Sequence, residues 1–231
     1  MSVIVLIHGA YQGGWIWRPV ADRLRAMGHA VYAPSLDGCA ERARHVRPGI
    51  STESHGQEIA DLLFYQDLRD VVLAGTSTGG MVLARAAELA RERVARVVFA
   101  DALALMDGEA LPDIVKRPTA VDTELTTGPS RQDFENRLFA DLDPATRAWA
   151  LERCTPHPIA AMRQPVRLER FWSQPWDADV LWCRRSANPP VAHQKRCAET
   201  LHARWHELDT GHYPMLSEPD ALTRIIAGDK S

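Results

Sequence analysis

The chain has 231 residues, 45% of them hydrophobic and 25% charged, the balance of one ordinary folded domain with room for an insertion; a disordered, collagenous or coiled-coil protein is excluded. Lys+Arg 27 against Asp+Glu 30 leaves a net charge of −3, so there is no electrostatic footprint for nucleic acid or an anionic membrane. Only Lys116, Lys195 and Lys230 among those cations are lysine, a composition that says nothing about fold.

Val3–Ile7 is a short continuous apolar run ending at His8 and Gly9, which reads as a strand buried on both faces of a parallel sheet. From Trp17 to Met27 the apolar residues Val20, Leu24 and Met27 recur at helical spacing, and Gly28 stands where a C-terminal cap belongs. The alternation repeats: strand over 30–33, helix over 53–66 with Ile59, Leu62 and Leu63 on one face, strand over 71–74, helix over 78–90, strand over 94–100. Such alternation builds a parallel sheet with helices on both sides.

The rhythm breaks after Asp101. Between Leu105 and Pro175 no strand-like run is legible, but two helix starts are: Ser130 with Asp133 as a capping-box-like opening, and Asp143 followed by Pro144. Residues 105–175 are therefore expected to form a helical cap inserted into a core made of 1–104 and 176–231. Strands resume over 180–183 and 204–208, with helices after Pro190 and Pro219.

Cys39, Cys154, Cys183 and Cys197 are far apart and form no C-x-x-C pair, so they frame neither a zinc site nor a redox pair and are expected as thiols in a reducing compartment. The chain runs from Met1 straight into its first strand without a basic n-region, and no apolar stretch has the length to span a bilayer. A cytoplasmic location is expected.

Gly75-Thr76-Ser77-Thr78-Gly79 follows an apolar strand and opens an amphipathic helix. That placement is the nucleophile elbow, a sharp turn that lifts a Ser hydroxyl clear of the sheet and needs glycines where backbone segments approach closely. A Ser nucleophile needs an imidazole to take its proton, and His212, in the turn after the last strand, has the right setting. His8 is expected to brace the loop after the first strand. His202 and His206 have i, i+4 spacing but no third ligand, so no metal is expected. The loop from His8 to Gly14 can supply backbone N–H groups to a developing oxyanion; Ala10 and Thr78 are assigned that role, Thr78 also lying at the positive end of its helix. Neither G-x-G-x-x-G nor G-x-x-x-x-G-K-[ST] is present, which demotes nucleotide binding.

These residues together resemble the α/β-hydrolases related to plant methylesterases and hydroxynitrile lyases. The resemblance is nearly full-length and rests on His8-Gly9-Ala10 with Gly13 to Trp17, Gly28-His29 to Pro34, the Ser77 elbow, Phe99–Ala102, the cap stretch from Pro156 to Val166, and Gly211-His212 with Pro214 to Leu216. It implies an α/β-hydrolase fold with a triad acid in the turn after the penultimate strand. That turn here reads Cys183-Arg-Arg-Ser-Ala-Asn-Pro-Pro190 and holds no carboxylate.

Asp101, at the end of the preceding strand, is the substitute: haloalkane dehalogenases and some lipases resemble it in placing their acid there, and catalytic groups gather at such strand ends. The competing reading is that Asp101 anchors the start of the cap. Asp209 lies too near His212 in sequence to fold back to its ring. The cyanide-eliminating relatives carry Thr where Gly9 stands and a Lys in the turn holding Arg184, Arg185 and Ser186, so lyase chemistry on that pattern is disfavoured.

Phe134, Phe139, Trp149, Phe171, Trp172 and Trp176 supply apolar bulk for a roof over the sheet, most of it serving as the cap's own core. Tyr11 and Leu103 are the candidate substrate contacts. The expected protein is a monomeric or homodimeric serine hydrolase acting on an ester or related acyl bond of a small to medium, largely apolar molecule, without metal or organic cofactor and without nucleic-acid or membrane partners. A silent small-molecule binder and a non-hydrolytic, lactonising or eliminating enzyme are the alternatives.

Overall fold

The computed structural model describes residues 1–115 and 120–228, and of Phe134 only the backbone; Lys116, Lys230 and the Phe134 side chain lie outside the described residues. In chain order the elements are β1 (Val3–Ile7), α1 (Arg18–Ala26), β2 (Ala30–Tyr32), α2 (Thr52–Tyr65), β3 (Val71–Ser77), α3 (Gly79–Leu89) and β4 (Val94–Ala102). There follow α4 (Leu111–Ile114), β5 (Ala120–Asp122), β6 (Thr126–Pro129), α5 (Arg131–Asn136), α6 (Pro144–Leu151), β7 (His157–Pro158) and α7 (Ile159–Arg163). The chain closes with β8 (Asp177–Cys183), α8 (Val191–Leu201), β9 (Arg204–Leu208), α9 (Pro214–Ser217) and α10 (Pro219–Ala227).

Among the described residues the main sheet has six strands in the order β2-β1-β3-β4-β8-β9, every neighbouring pair parallel. Because side chains alternate along a strand, each apolar run feeds two cores. Val5, Ile7, Leu73, Val97 and Phe99 pack under α2 and α3, while Ile4, Leu6, Val72, Ala74 and Val98 pack under α1 and α10. Helix α1 stops where Gly28 adopts φ +87°, and the amides of Gly28 and His29 return to the carbonyls of Arg25 and Leu24, a left-handed cap that glycine enters without steric cost.

One irregularity positions the site. The β3–β4 ladder pairs Thr76 with Ala100 and then Ser77 with Ala102, so Asp101 is an extra residue in β4, a bulge that re-aims a side chain at a strand end. Asp101 adopts φ +48° and Ser77 φ +52°. At the other end of the sheet the buried Asp179 accepts from Arg96, Arg204 and His206, and Arg96 also donates to the last carbonyls of α10. Burial alone would push the Asp179 carboxyl up, but hydrogen bonds from His206 and Arg204 and the charge of Arg96 hold it well below the ordinary carboxylate range.

The segment between β4 and β8 is not wholly helical, as the sequence suggested, but also contains a small antiparallel sheet in the order β5-β6-β7. These strands have two to four residues, too few to display a period, and the β6–β7 pairing joins Thr127 to His157 across the cap. The two legible helix starts are in place: Ser130 Oγ accepts from Asp133 N at 3.1 Å, and Asp143 Oδ1 accepts from Ala145 N and Thr146 N at 3.1 Å. The cap aromatics fasten it to the core. Phe171 packs against Phe99, Trp172 and Trp176, Phe139 against Tyr213, and Trp149 against Trp15.

Two imidazoles serve as buried acceptors. His8 Nε2 accepts from Leu36 N at 3.0 Å while its Nδ1 faces Gly9 O at 2.8 Å, the bracing role expected of it. His193 Nε2 accepts from Ala104 N at 2.9 Å. Burial lowers both pKa values to about 4, with Arg196 adding to the effect at His193. The folded state therefore keeps them neutral while the unfolded chain takes up protons below about pH 6.5, so stability is full above that pH and falls as pH drops toward 4, by a few kcal/mol for the pair. Urea midpoints at pH 7 and pH 4.5 should show this loss, and His193→Gln, which keeps an acceptor but cannot titrate, should make it smaller; an identical drop would remove His193 as a source.

Candidate active site

The elbow is built by close backbone approach. A Cβ on Gly79 would lie 2.5 Å from Ile7 O and 2.6 Å from His8 O, and one on Gly75 would lie 2.7 Å from Gly79 O. With both positions bare, α3 can start directly behind β1 and β3. Ser77, as the last residue of β3, is then turned into the left-handed region, a conformation that costs a non-glycine residue energy and concentrates at functional sites.

His212 comes from the loop between β9 and α9. Its Nδ1 lies 2.6 Å from Asp101 Oδ2, so an N–H at that nitrogen donates to the carboxylate and Nε2 is left as the basic atom. Asp101 is fully buried, and its Oδ1 accepts from Cys183 N at 3.2 Å and Gln194 Nε2 at 3.3 Å. The bulge thus delivers the carboxylate to the imidazole that the sequence paired with it. Asp209 is elsewhere: its exposed carboxylate lies 3.7 Å from Arg184 and 3.8 Å from Arg185.

The turn that lacks a carboxylate still reaches the ring. Ser186 Oγ donates to Asn188 O at 2.9 Å and lies 3.5 Å from His212 Nδ1. Arg185, in contrast, is directed to the rim, where it donates to Asp209 O at 2.6 Å. Residue 186, not 185, is therefore the position in this turn from which a side chain borders the imidazole.

Ser77, His212, Ala10, Tyr11 and Leu103 all line one cavity of about 340 Å³. Ala10 begins the loop over the elbow, where Gly9 N donates to Gln12 Oε1 at 3.1 Å. Thr78 is the N-cap residue of α3. Among the described residues the amides of Ala10 and Thr78 are not spent on other backbone carbonyls. Tyr11 has φ +67°, and its carbonyl accepts from Thr155 N of the cap at 3.1 Å; Thr155 Oγ1 in turn accepts from Ala40 N at 3.0 Å.

The cavity wall is more charged than the sequence suggested. Leu103, Leu111, Val115 and Leu138 give it an apolar side, but Asp133, Arg137, Asp141 and Arg185 line it too. Arg137 pairs with Asp133 at 2.7 Å. The described cap aromatics do not line it. Helical spacing finds which cap residues are buried, whereas the direction in which the turn after α5 faces depends on how the cap docks. Gln194 was also missed, because nothing in its local pattern distinguishes a helix residue facing the core from one facing a carboxylate.

His202 and His206 do not form a pair. His202 ends α8 with φ +49°, and His206 lies on β9 with Nε2 2.7 Å from Asp179 Oδ1. No group of three or more metal-binding side chains occurs among the described residues.

A fully parallel sheet, a strained Ser between β3 and α3, and a His on the loop after β9 coincide with a family match over residues 4–225. The chain belongs to the alpha/beta hydrolase family. It is similar to a carbendazim hydrolyzing esterase of Nocardioides sp. (strain SG-4G), 29% identical over 180 residues that span 73% of this chain and 74% of that protein. It is also 29% identical to Methylesterase 3 of Arabidopsis thaliana over 143 residues, 61% of this chain and 52% of the relative, so that match spans about half of the plant protein. Among solved structures, an extracellular alpha/beta-hydrolase from a Paenibacillus species superposes with a TM-score of 0.83 over 99% of this chain and 98% of that one, at 21% identity; the likeness concerns the fold.

The elbow yields a direct test. Gly79→Ala drives a methyl group into the carbonyls that end β1 and should destabilise the protein by about 1–3 kcal/mol while displacing Ser77. Urea denaturation and labelling of Ser77 by a fluorophosphonate should both report the change, and a variant with wild-type stability and labelling would show that α3 can shift without cost.

Proposed function

We propose that the protein is a serine hydrolase that cleaves an ester or related acyl bond, with Ser77 as nucleophile, His212 as general base and Asp101 as the triad acid. The observation that carries this reading is the 2.6 Å contact between Asp101 Oδ2 and His212 Nδ1, on the rim of a cavity that Ser77 also lines. The names of the relatives, an esterase and a methylesterase, agree with it. A silent binder was motivated by the carboxylate missing from the turn, and the Asp101 contact supports the enzyme over that alternative.

In the proposed cycle Ser77 Oγ attacks the substrate carbonyl carbon and its proton passes to His212 Nε2. Asp101 fixes the tautomer and stabilises the imidazolium; the amides of Ala10 and Thr78 hold the oxyanion. Collapse of the tetrahedral intermediate returns the proton to the leaving alkoxide and leaves an acyl-serine, which water cleaves by the same steps. None of this needs a metal or organic cofactor.

A cavity of about 340 Å³ suits an acyl or alcohol group of small to medium size. Leu103 and Tyr11 would meet its apolar part, and the charged wall at Arg137 and Asp141 favours a substrate with polar substituents over a plain hydrocarbon chain. The four free cysteines suit a reducing, cytoplasmic setting, and among the described residues no helix is long and apolar enough to cross a membrane.

Ser77→Ala should lower kcat by about 10³ to 10⁶ and abolish mass gain from a fluorophosphonate; wild-type protein that turns over an ester normally yet is never labelled would overturn the nucleophile assignment. Asp101→Asn should keep the fold and cost on the order of 10⁴ in kcat, because the amide favours the wrong tautomer. Adding Ser186→Asp to that variant should restore part of the loss, since residue 186 also borders Nδ1. Near-full activity in folded Asp101→Asn removes Asp101 from the triad.

A further inference from the structure

We infer that Gln194 is a positioning residue for the proposed triad acid: its side-chain amide holds the Asp101 carboxylate in the orientation that receives His212. The inference rests on Asp101 being that acid.

Asp101 has two oxygens and needs them to do different things. Oδ2 takes the imidazole N–H at 2.6 Å. Oδ1 is fixed by two donors, Cys183 N at 3.2 Å and Gln194 Nε2 at 3.3 Å. The backbone donor is independent of side-chain identity; the amide is the only side-chain N–H that reaches Oδ1 among the described residues. A carboxylate anchored at one oxygen by both cannot rotate about its Cβ–Cγ bond without breaking them, so Oδ2 stays aimed at Nδ1.

The environment argues that the donor is the reason for this residue type. Gln194 is completely buried on the first turn of α8, and its Oε1 has no partner among the described residues. An unpaired buried acceptor costs about 1–3 kcal/mol, and Met would fill a similar volume without that cost. What Met lacks is the N–H. The residue before it, His193, holds Ala104 N, so consecutive positions of α8 secure both the bulged Asp101 and the strand exit beyond it.

The titratable and charged groups around the pair are few. His212 faces Asp101 from the β9 loop. From β8 comes the Cys183 thiol, pushed far up by burial and by the charges of Asp101 and Asp141, and on α8 stand the low-pKa His193 and Arg196, the latter in a bidentate pair with Glu109.

The test uses the rate at which a fluorophosphonate labels Ser77 as a function of pH, which requires no knowledge of the natural substrate. Gln194→Met should label roughly 10- to 100-fold more slowly than wild type, as expected when a reacting group loses its alignment. The acid limb of its profile should move to higher pH, because a carboxylate deprived of a donor is more basic and favours the protonated imidazole. Gln194→Glu is isosteric and carries an O–H for Asp101 Oδ1 whenever its carboxyl is protonated. Two adjacent carboxyls hold one proton readily, so this variant should label within about 3-fold of wild type at pH 6, where Gln194→Met does not. A folded Gln194→Met with the wild-type rate and profile would falsify the inference; so would Met and Glu variants equally impaired at pH 6, which would assign the loss to packing. Failure of the underlying reading looks different, since Asp101→Asn would then label at the wild-type rate.

Discussion

The site depends on one extra residue in β4. Parallel pairing with β3 runs in register from Val72–Arg96 to Thr76–Ala100, and the next pair joins Ser77 to Ala102, so Asp101 is excluded from the ladder and turned toward the neighbouring strand. Were the register continued, the period of two would fix Asp101's direction by the alternation of its neighbours. The bulge frees it. At the same level of β3, Ser77 also leaves the extended region, with φ +52°, where bare Gly75 and Gly79 permit the close backbone approach. Two strained backbone positions on adjacent strands thus face one loop carrying one imidazole, and everything else in the core serves to keep those strand ends still.

The core does this by division of labour between the ends of the sheet. The end away from the site is fixed by charge: Asp179 collects Arg96, Arg204 and His206 in a buried cluster that also ties α10 to β4. A buried ion pair gains little net stability but is costly to disrupt, so it resists sliding of β8 against β4. At the site end the loops and strand exits next to the elbow are held by neutral acceptors. His8 and His193 receive backbone amides, which leaves Asp101 and the imidazole of His212 as the principal ionisable pair at the elbow.

Much of the core was legible because its signals are local. Val3–Ile7, the α1 stripe ending at Gly28 and the glycines flanking Ser77 each carry a steric or periodic constraint that a few consecutive residues express. The place of Asp101 at a strand end was legible, but not what brings its carboxylate to His212: a bulge is a relation between two strands and leaves no mark in either. The same reason hid Gln194, whose partner is 93 residues away, and β5 to β7, whose pairing partners are chosen by the docked cap. The exposed Ala120–Asp122 strand has no buried face to alternate with. Polar lining by Arg137 and Asp141 was hidden for a geometric reason, because a short helix and turn can present either side to a cavity.

Thr155 has a wider consequence. Its amide donates to Tyr11 O and its hydroxyl oxygen accepts from Ala40 N, so the cap grips the very loop whose next residue back is Ala10. The cap is therefore not an interchangeable module. Grafting the equivalent segment from another member of the family would exchange the roof and, with it, one of the restraints on a left-handed residue that lines the same cavity as Ser77, so chimeras built to alter selectivity would alter turnover as well unless the graft junction left Thr155 and its two partners intact.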